Sequence, residues 1–164
     1  MFLIAHLRAL DILLTTQDAD SGPPDPLAEL TGMQGSMTAR PAPQDPALAR
    51  LRPDAYAADE QDGAAATEFR RLTEGALEAH QRHRVAIVLD TLSGGDRITL
   101  DPDQADAWLG ALNDLRLALG TRLEVTEELL DVPPEDPRAG GLQHYHLLGQ
   151  LQSDLLDALG GAPF

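Results

Sequence analysis

Cysteine is absent from the 164 residues of this chain. Its absence excludes disulfide bonds, thiolate metal sites, cysteine nucleophiles and thiol redox switches. Lysine is absent too, so all 12 basic residues are arginine. No apolar run approaches the ~20 residues that a membrane-spanning helix needs. The stretch 2–14 contains charged residues and lacks the basic leader of a signal peptide. We therefore expect a cytoplasmic protein with no membrane segment.

Bases are also scarce relative to acids. Asp and Glu number 27 against 12 arginines, which gives a formal net charge of −15. Residues 101–164 hold twelve of the acids and three of the arginines. An acidic surface repels the phosphates whose neutralisation supplies most non-specific binding to nucleic acids. We therefore expect no direct nucleic-acid binding by this chain alone.

The spacing of apolar residues divides the chain into three parts. Leucines at helical spacing predict an N-terminal helix of the bundle within residues 1–17. Residues 18–45 are rich in Pro, Gly and Ser and predict a linker or long loop, with one short turn near 27–30. Residues 46–160 then form the helical core, and the whole chain is one domain.

Helix signals within this core predict an all-α fold. Asp45-Pro46 and Asp101-Pro102 each combine a capping residue with proline at the first helical position, so each predicts a helix start. The Pro-rich stretch around 132–141 and the extended stretch 97–100 separate further elements. The predicted core helices cover 46–53, 64–92, 102–119, 127–130 and 144–159. With the N-terminal helix, the longer of these segments make an irregular bundle of four to five helices with a long Pro/Gly-rich loop after the first helix.

The two longest core helices are expected to pack together and bury Trp108. In the first, a stripe at helical spacing should face the core; it comprises Phe69, Leu72, Ala76, His80, His83 and Ile87. The second is apolar on nearly every side, which is typical of a central helix. An unpaired buried polar group costs roughly 1–3 kcal/mol, so the polar residues of this helix need partners. We predict that they form a structural brace, with a binding site as the alternative; they are Asn113, Asp114, Arg116 and Arg122.

A second group of polar residues lies on the 64–92 helix. It comprises Arg70, Arg71, Arg82 and Arg84, which could form a docking face for an acidic protein partner. The alternative is a solvated helix face, in which Glu74 and Glu78 pair with arginines four residues away.

The sequence gives only weak support to a DNA-binding, metal-binding or catalytic site. RLALGTRLEVTEELL (116–130) has the outline of a helix-turn-helix, but its second helix with the residue after it would carry four acids that DNA repels, which are Glu124, Glu127, Glu128 and Asp131. Zinc would need His80 and His83 to meet His144 or His146, although the chain has no HExxH motif. No spaced acid pair, activated nucleophile or phosphate-binding loop stands out. We therefore predict no catalytic, cofactor-binding or metal-binding residues, no cofactor, and a protein that is not an enzyme.

One stretch resembles a known family. ALNDLRLALGTRLEV (111–125), preceded by DAWLG (106–110), is similar to the signature of an actinobacterial family catalogued as domain of unknown function number twenty-seventeen and called AosR-like. The resemblance continues in DPALARLRPDAYAAD (45–59), TEFRRLTEGAL (67–77) and HYHLLGQLQSDLLDAL (144–159). It implies a helical transcriptional regulator of the oxidative-stress response, with RNA polymerase or a sigma factor as the protein partner.

Two features depart from this family. Its members usually begin with a basic, strand-like stretch, whereas this chain opens at FLIAHLRAL. The simplest oxidant sensor for a stress regulator would be a pair of cysteines, and this chain has none. Two alternatives therefore stand beside the protein-binding regulator. One is a DNA-binding regulator with a basic segment upstream of Met1, and the other is an adaptor linked to ClpS-dependent proteolysis, which the gene neighbourhood of the family implies. Self-association into a homo-oligomer is left open.

Overall fold

The computed structural model describes residues 2–16, 42–53, 63–94, 97–126 and 132–160, with backbone alone at 63–66 and 71. These residues contain no β-strand, and the predicted all-α class is confirmed. Their helices are α1 (Phe2–Thr15), α2 (Pro46–Leu51), α3 (Gly63–Ser93), α4 (Pro102–Arg122) and α5 (Ala139–Gly160). None of these helices combines the length and apolarity that crossing a membrane requires.

Some predicted elements lie outside the described residues. They are most of the loop over 18–45, including the turn near 27–30, and the short helix over 127–130. Residues 97–100 are irregular and have no strand pairing within the described part of the chain. The division of the chain into a first helix, a linker and a core domain stays a prediction.

Aspartate begins α2 and α4 as the sequence predicts. The Asp45 carboxylate accepts hydrogen bonds from the backbone N–H groups of Ala47 (2.8 Å) and Leu48 (3.2 Å). Asp101 and Gln104 form a reciprocal capping box, with distances of 2.8 and 3.0 Å. In both helices proline follows at the first position, where no N–H partner is needed.

The last helix begins earlier than the prediction of residue 144. Asp136 and Pro137 repeat the Asp-Pro signal, and Asp136 accepts a hydrogen bond of 2.8 Å from the N–H of Arg138. Both carboxylate oxygens of Asp136 also bind the Arg138 guanidinium, at 2.9 and 3.0 Å. These contacts order the turn before Ala139, so the segment between α4 and α5 ends sooner than its Pro and Gly content suggested.

The core surrounds α4, which contacts each of the other four described helices. Trp108 is 8% exposed, and its indole N–H donates to the Thr91 hydroxyl on α3 at 2.9 Å. The predicted packing of these two helices over Trp108 is thus confirmed. Further core residues come from every described helix and include Leu3, Leu7, Leu10, Leu14, Leu48, Val85, Val88, Leu112, Leu115 and Leu148.

The predicted inward face of α3 is wrong. Its buried stripe consists of Glu74, Glu78, Gln81, Val85 and Val88, at spacings of three and four residues. Of the stripe expected to face the core, only Ile87 is half-buried, whereas Phe69, Leu72, Ala76, His80 and His83 are exposed. The helix is rotated in this way because its acids meet a buried arginine from the end of α2.

Candidate functional site

Three of the polar side chains predicted on α4 reach three different helices. Asp114 faces α3, where its Oδ2 lies 2.6 Å from Nη2 of Arg84. Burial raises the pKa of Asp114 above its usual value, although the charge and hydrogen bond of Arg84 oppose this shift. The raised pKa indicates that the cost of removing the Asp114 carboxylate from water exceeds the stabilisation that its partners provide.

Arg116 faces α5. Its Nη1 donates to Oε1 of Gln152 at 2.7 Å, and its guanidinium lies 5.3 Å from the centre of the Tyr145 ring. A guanidinium over an aromatic face is attracted by the quadrupole of the ring. Both of these partners are uncharged.

Arg122, in the last turn of α4, reaches α2. Its Nη2 binds Oδ2 of Asp45, the residue that caps α2. Burial tends to raise the pKa of Asp45, but the hydrogen bonds from Arg122 and from the N–H groups of Leu48 and Ala47 lower it below its ordinary value. One carboxylate thus joins the start of α2 to the end of α4.

Unlike Asp114 and Arg116, Asn113 is exposed. It lies between Leu109 and Leu117, which are only half-buried, on the one strip of α4 that other described helices do not cover fully. The expected burial of Asn113 is therefore wrong. That Asp114, Arg116 and Arg122 stabilise the bundle stays a prediction.

A buried ionic cluster was missed by the sequence reasoning. The Arg52 guanidinium lies 3.3 Å from Oε1 of Glu74 and 3.4 Å from Oε2 of Glu78, and it also donates to the carbonyl of Leu14 at 3.3 Å. The three charged side chains are 2%, 3% and 7% exposed. The signal that could have found this cluster is the shared spacing of Glu74, Glu78 and Gln81 with the core valines of α3.

The four arginines predicted as a docking face do not share one surface in the described structure. Arg82 is exposed, with its Nε 3.4 Å from Asp11 on α1, whereas Arg84 turns to Asp114 on α4. Arg70 is half-buried, and the side chain of Arg71 lies outside the described part. Residues two positions apart on a helix point in nearly opposite directions, which is why Arg82 and Arg84 separate.

The histidines considered for zinc are also apart. His80 and His83 are exposed on α3, whereas His144 stacks on Phe2 with ring centroids 5.0 Å apart and meets the edge of His6 at 4.9 Å. His146 is exposed beside Tyr145. Within the described residues no group of three or more His, Asp or Glu side chains is placed to hold a metal ion.

Two of the cavities formed by the described residues lie along α4. A cavity of about 200 Å³ between α1 and α4 has mainly apolar walls, including Leu10, Leu13 and Leu119. A larger one of about 420 Å³ lies where the C-terminal end of α4 meets α2 and α5. Its lining includes Arg50 and Arg116.

The stretch with the outline of a helix-turn-helix, which its acidic residues disfavour as a DNA reader, is described only in its first half. α4 continues through Gly120 to Arg122, so the turn begins later than the glycine suggested. Glu124 then adopts a left-handed conformation, with φ at 53°. Residues 127–131, which would start the second helix, lie outside the described residues.

Comparison with known proteins gives one family match. The family model described as "Domain of unknown function (DUF2017)" matches residues 2–159. The chain is 35% identical over 169 residues to a "Putative oxidative stress regulator AosR" of Mycobacterium leprae, covering 96% of this chain and 77% of that protein. It is 34% identical over 172 residues to the "Oxidative stress regulator AosR" of Mycobacterium tuberculosis and to that of Mycobacterium bovis, covering 98% of this chain and 78% of each relative. No solved structure matches the chain.

Proposed function

The chain belongs to the DUF2017 family, and we propose that it is a cytoplasmic, non-enzymatic regulator of the oxidative-stress response that acts on transcription through a protein partner. The observation that carries this proposal is the match to relatives named as oxidative stress regulators. That match extends over nearly the whole chain at 34–35% identity. A regulatory role common to these proteins is the simplest reading of their shared sequence.

Charge favours a protein partner over DNA. Residues 101–164 hold twelve acids and three arginines, and in the described structure Arg122 already binds Asp45 while Arg138 binds Asp136. Few bases are left in this half to neutralise phosphates. An acidic surface instead speeds and orients association with a basic surface of a protein partner. RNA polymerase or one of its sigma factors is the partner that we propose.

The contacts of the charged side chains support a binding role rather than catalysis. Arg52, Arg84 and Arg122 each bridge two or more helices by pairing with acids. Side chains engaged in this way are placed to link helices, and the positive charge of each arginine is offset by at least one acid. The absence of cysteine also means that an oxidant signal cannot enter through a thiol of this chain.

Fluorescence anisotropy with labelled promoter DNA tests the proposal. We expect the purified chain to bind duplex DNA no more tightly than ~10⁻⁴ M at physiological salt, the weak end of non-specific binding. RNA polymerase bearing a sigma factor should bind the chain, with an affinity that falls as salt is raised.

A matched pair of variants tests the charge argument. Asp106→Asn with Asp157→Asn removes two exposed acids and should weaken polymerase binding, whereas Arg97→Gln removes an exposed base and should not. Sub-micromolar DNA binding by the chain alone would refute the proposal and favour a DNA-binding regulator.

A further inference from the structure

The cavity at the C-terminal end of α4 is unusual for the charge of its walls. Its lining includes Arg50 from α2, Arg116, Gly120, Thr121 and Glu124 from α4 and the turn after it, and Tyr145 from α5. Among the described residues that line it, two arginines and one glutamate give a net positive charge, although the chain as a whole carries −15. The sign of the charge is thus reversed locally.

These two arginines differ in their partners from the three arginines that pair with acids across helix contacts. Arg52, Arg84 and Arg122 each have a carboxylate at salt-bridge distance. Within the described part of the chain, Arg50 and Arg116 have none, and the buried Nε of Arg116 makes no hydrogen bond there. In a chain with more than twice as many acids as bases, two arginines without an acid in one cavity leave positive charge for an incoming anion.

The site is also held in place before any ligand arrives. Gln152 and the ring of Tyr145 fix the Arg116 guanidinium. Tyr145 itself reaches α4 because residue 120 is glycine, where a Cβ atom would lie 3.2 Å from Cε2 of the tyrosine. A guanidinium fixed in this way loses little side-chain entropy on binding an anion.

We propose that this cavity binds a small organic monocarboxylate. A guanidinium pairs with a carboxylate through parallel hydrogen bonds, and the cavity volume of about 420 Å³ lies within the range of small-molecule sites. Leu117, Val125 and the Tyr145 ring would contact the apolar part of the ligand. Glu124 disfavours a second negative charge, so one carboxylate fits these walls better than a phosphate dianion. The inference does not depend on the proposed regulatory function.

Benzoate is a suitable probe, because it joins one carboxylate to a flat apolar ring. We expect it to shift the ¹⁵N-correlated NMR signals of the Arg116 Nε–H and the Gly120 backbone N–H, with a dissociation constant on the order of 1 mM. Benzamide has the same shape without the charge, and inorganic phosphate has charge without the ring. Both should bind roughly tenfold more weakly or not at all.

Two arginine variants separate this site from a general charge effect. Arg50 is exposed, so Arg50→Gln should leave the melting temperature unchanged and weaken benzoate binding about tenfold. Arg97→Gln removes the same charge before the opposite, N-terminal end of α4, a helix of 21 residues and so about 30 Å long, and should leave binding unchanged. Equal effects of the two variants, equal binding of benzamide, or no shift at Arg116 with about 10 mM benzoate would each overturn the proposal.

Discussion

Replacing Arg52 with methionine tests the buried ionic cluster directly. Methionine has an unbranched stem of similar reach and no charge, so it removes the guanidinium while keeping much of the volume. Glu74 and Glu78 would then share the interior without the cation that both of them contact. The carbonyl of Leu14 would also lose a donor.

Breaking a buried ion pair by removing one partner costs about 3–5 kcal/mol, because a charge is left uncompensated. The burial of all three side chains, at 2–7% exposure, places this cluster in that class. For a chain of this length each kcal/mol lowers the melting temperature by roughly 2–4 °C, so we expect a fall of about 6–20 °C. Combining Arg52→Met with Glu74→Gln and Glu78→Leu should recover most of the loss, because buried ion clusters can be replaced by well-matched uncharged groups.

The assay is thermal unfolding followed by circular dichroism, supported by denaturant titration. Arg82→Met is the matched control, since Arg82 and its partner Asp11 are each 44% exposed and such pairs are worth about 0–1 kcal/mol. A fall after Arg52→Met no larger than that after Arg82→Met would refute the reasoning. Failure of the triple variant to regain stability would show that Arg52 acts by packing rather than by charge.

Three further perturbations have defined outcomes. Trp108→Ala should cost about 3–5 kcal/mol in denaturant titration, because a large buried ring is lost, and an unchanged midpoint would contradict its burial. Arg116→Met should cost about 1–2 kcal/mol through the loss of its hydrogen bond to Gln152; unchanged stability would show that Arg116 does not brace the bundle. The hydrogen bonds of Arg138 lower the pKa of Asp136 from 3.8 to about 2, so its contribution to stability is complete above about pH 4 and is lost as the pH falls towards 2. In the variant Asp136→Asn the melting temperature should therefore fall less between about pH 4 and pH 2. An unaltered pH profile would exclude this contribution.

Local signals predicted the helix framework well. Asp followed by Pro marks the start of α2 and α4, because the carboxylate satisfies N–H groups that have no partner within the helix. Leucines at helical spacing found the buried face of α1 for a similarly local reason. The start of α5 at Ala139 was missed, because the Pro and Gly residues before it favour a loop, and Asp136-Pro137 lies in the turn before the helix and not at its first position.

Contacts between distant parts of the chain were harder to predict. The spacing of apolar residues predicts the buried face of a helix only if charged side chains point outwards. In α3 Glu74 points inwards, because Arg52, which lies 22 residues earlier, supplies a buried counter-charge. Nothing local to α3 encodes that partner. The prediction that Asn113 is buried was wrong for the opposite reason. Its apolar neighbours suggested burial, yet no other described helix fully covers that side of α4.

The positions of the arginines affect which partners and ligands such an acidic chain can bind. Arg52, Arg84 and Arg122 neutralise acids at helix contacts, so their positive charges are balanced within the bundle. The surface therefore keeps most of the negative excess, which favours basic partners and disfavours polyanions. Arg50 and Arg116 are exceptions, because neither is neutralised by an acid within the described residues. A small carboxylate and a basic protein surface would thus be recognised at different places, and each can be tested without disturbing the other.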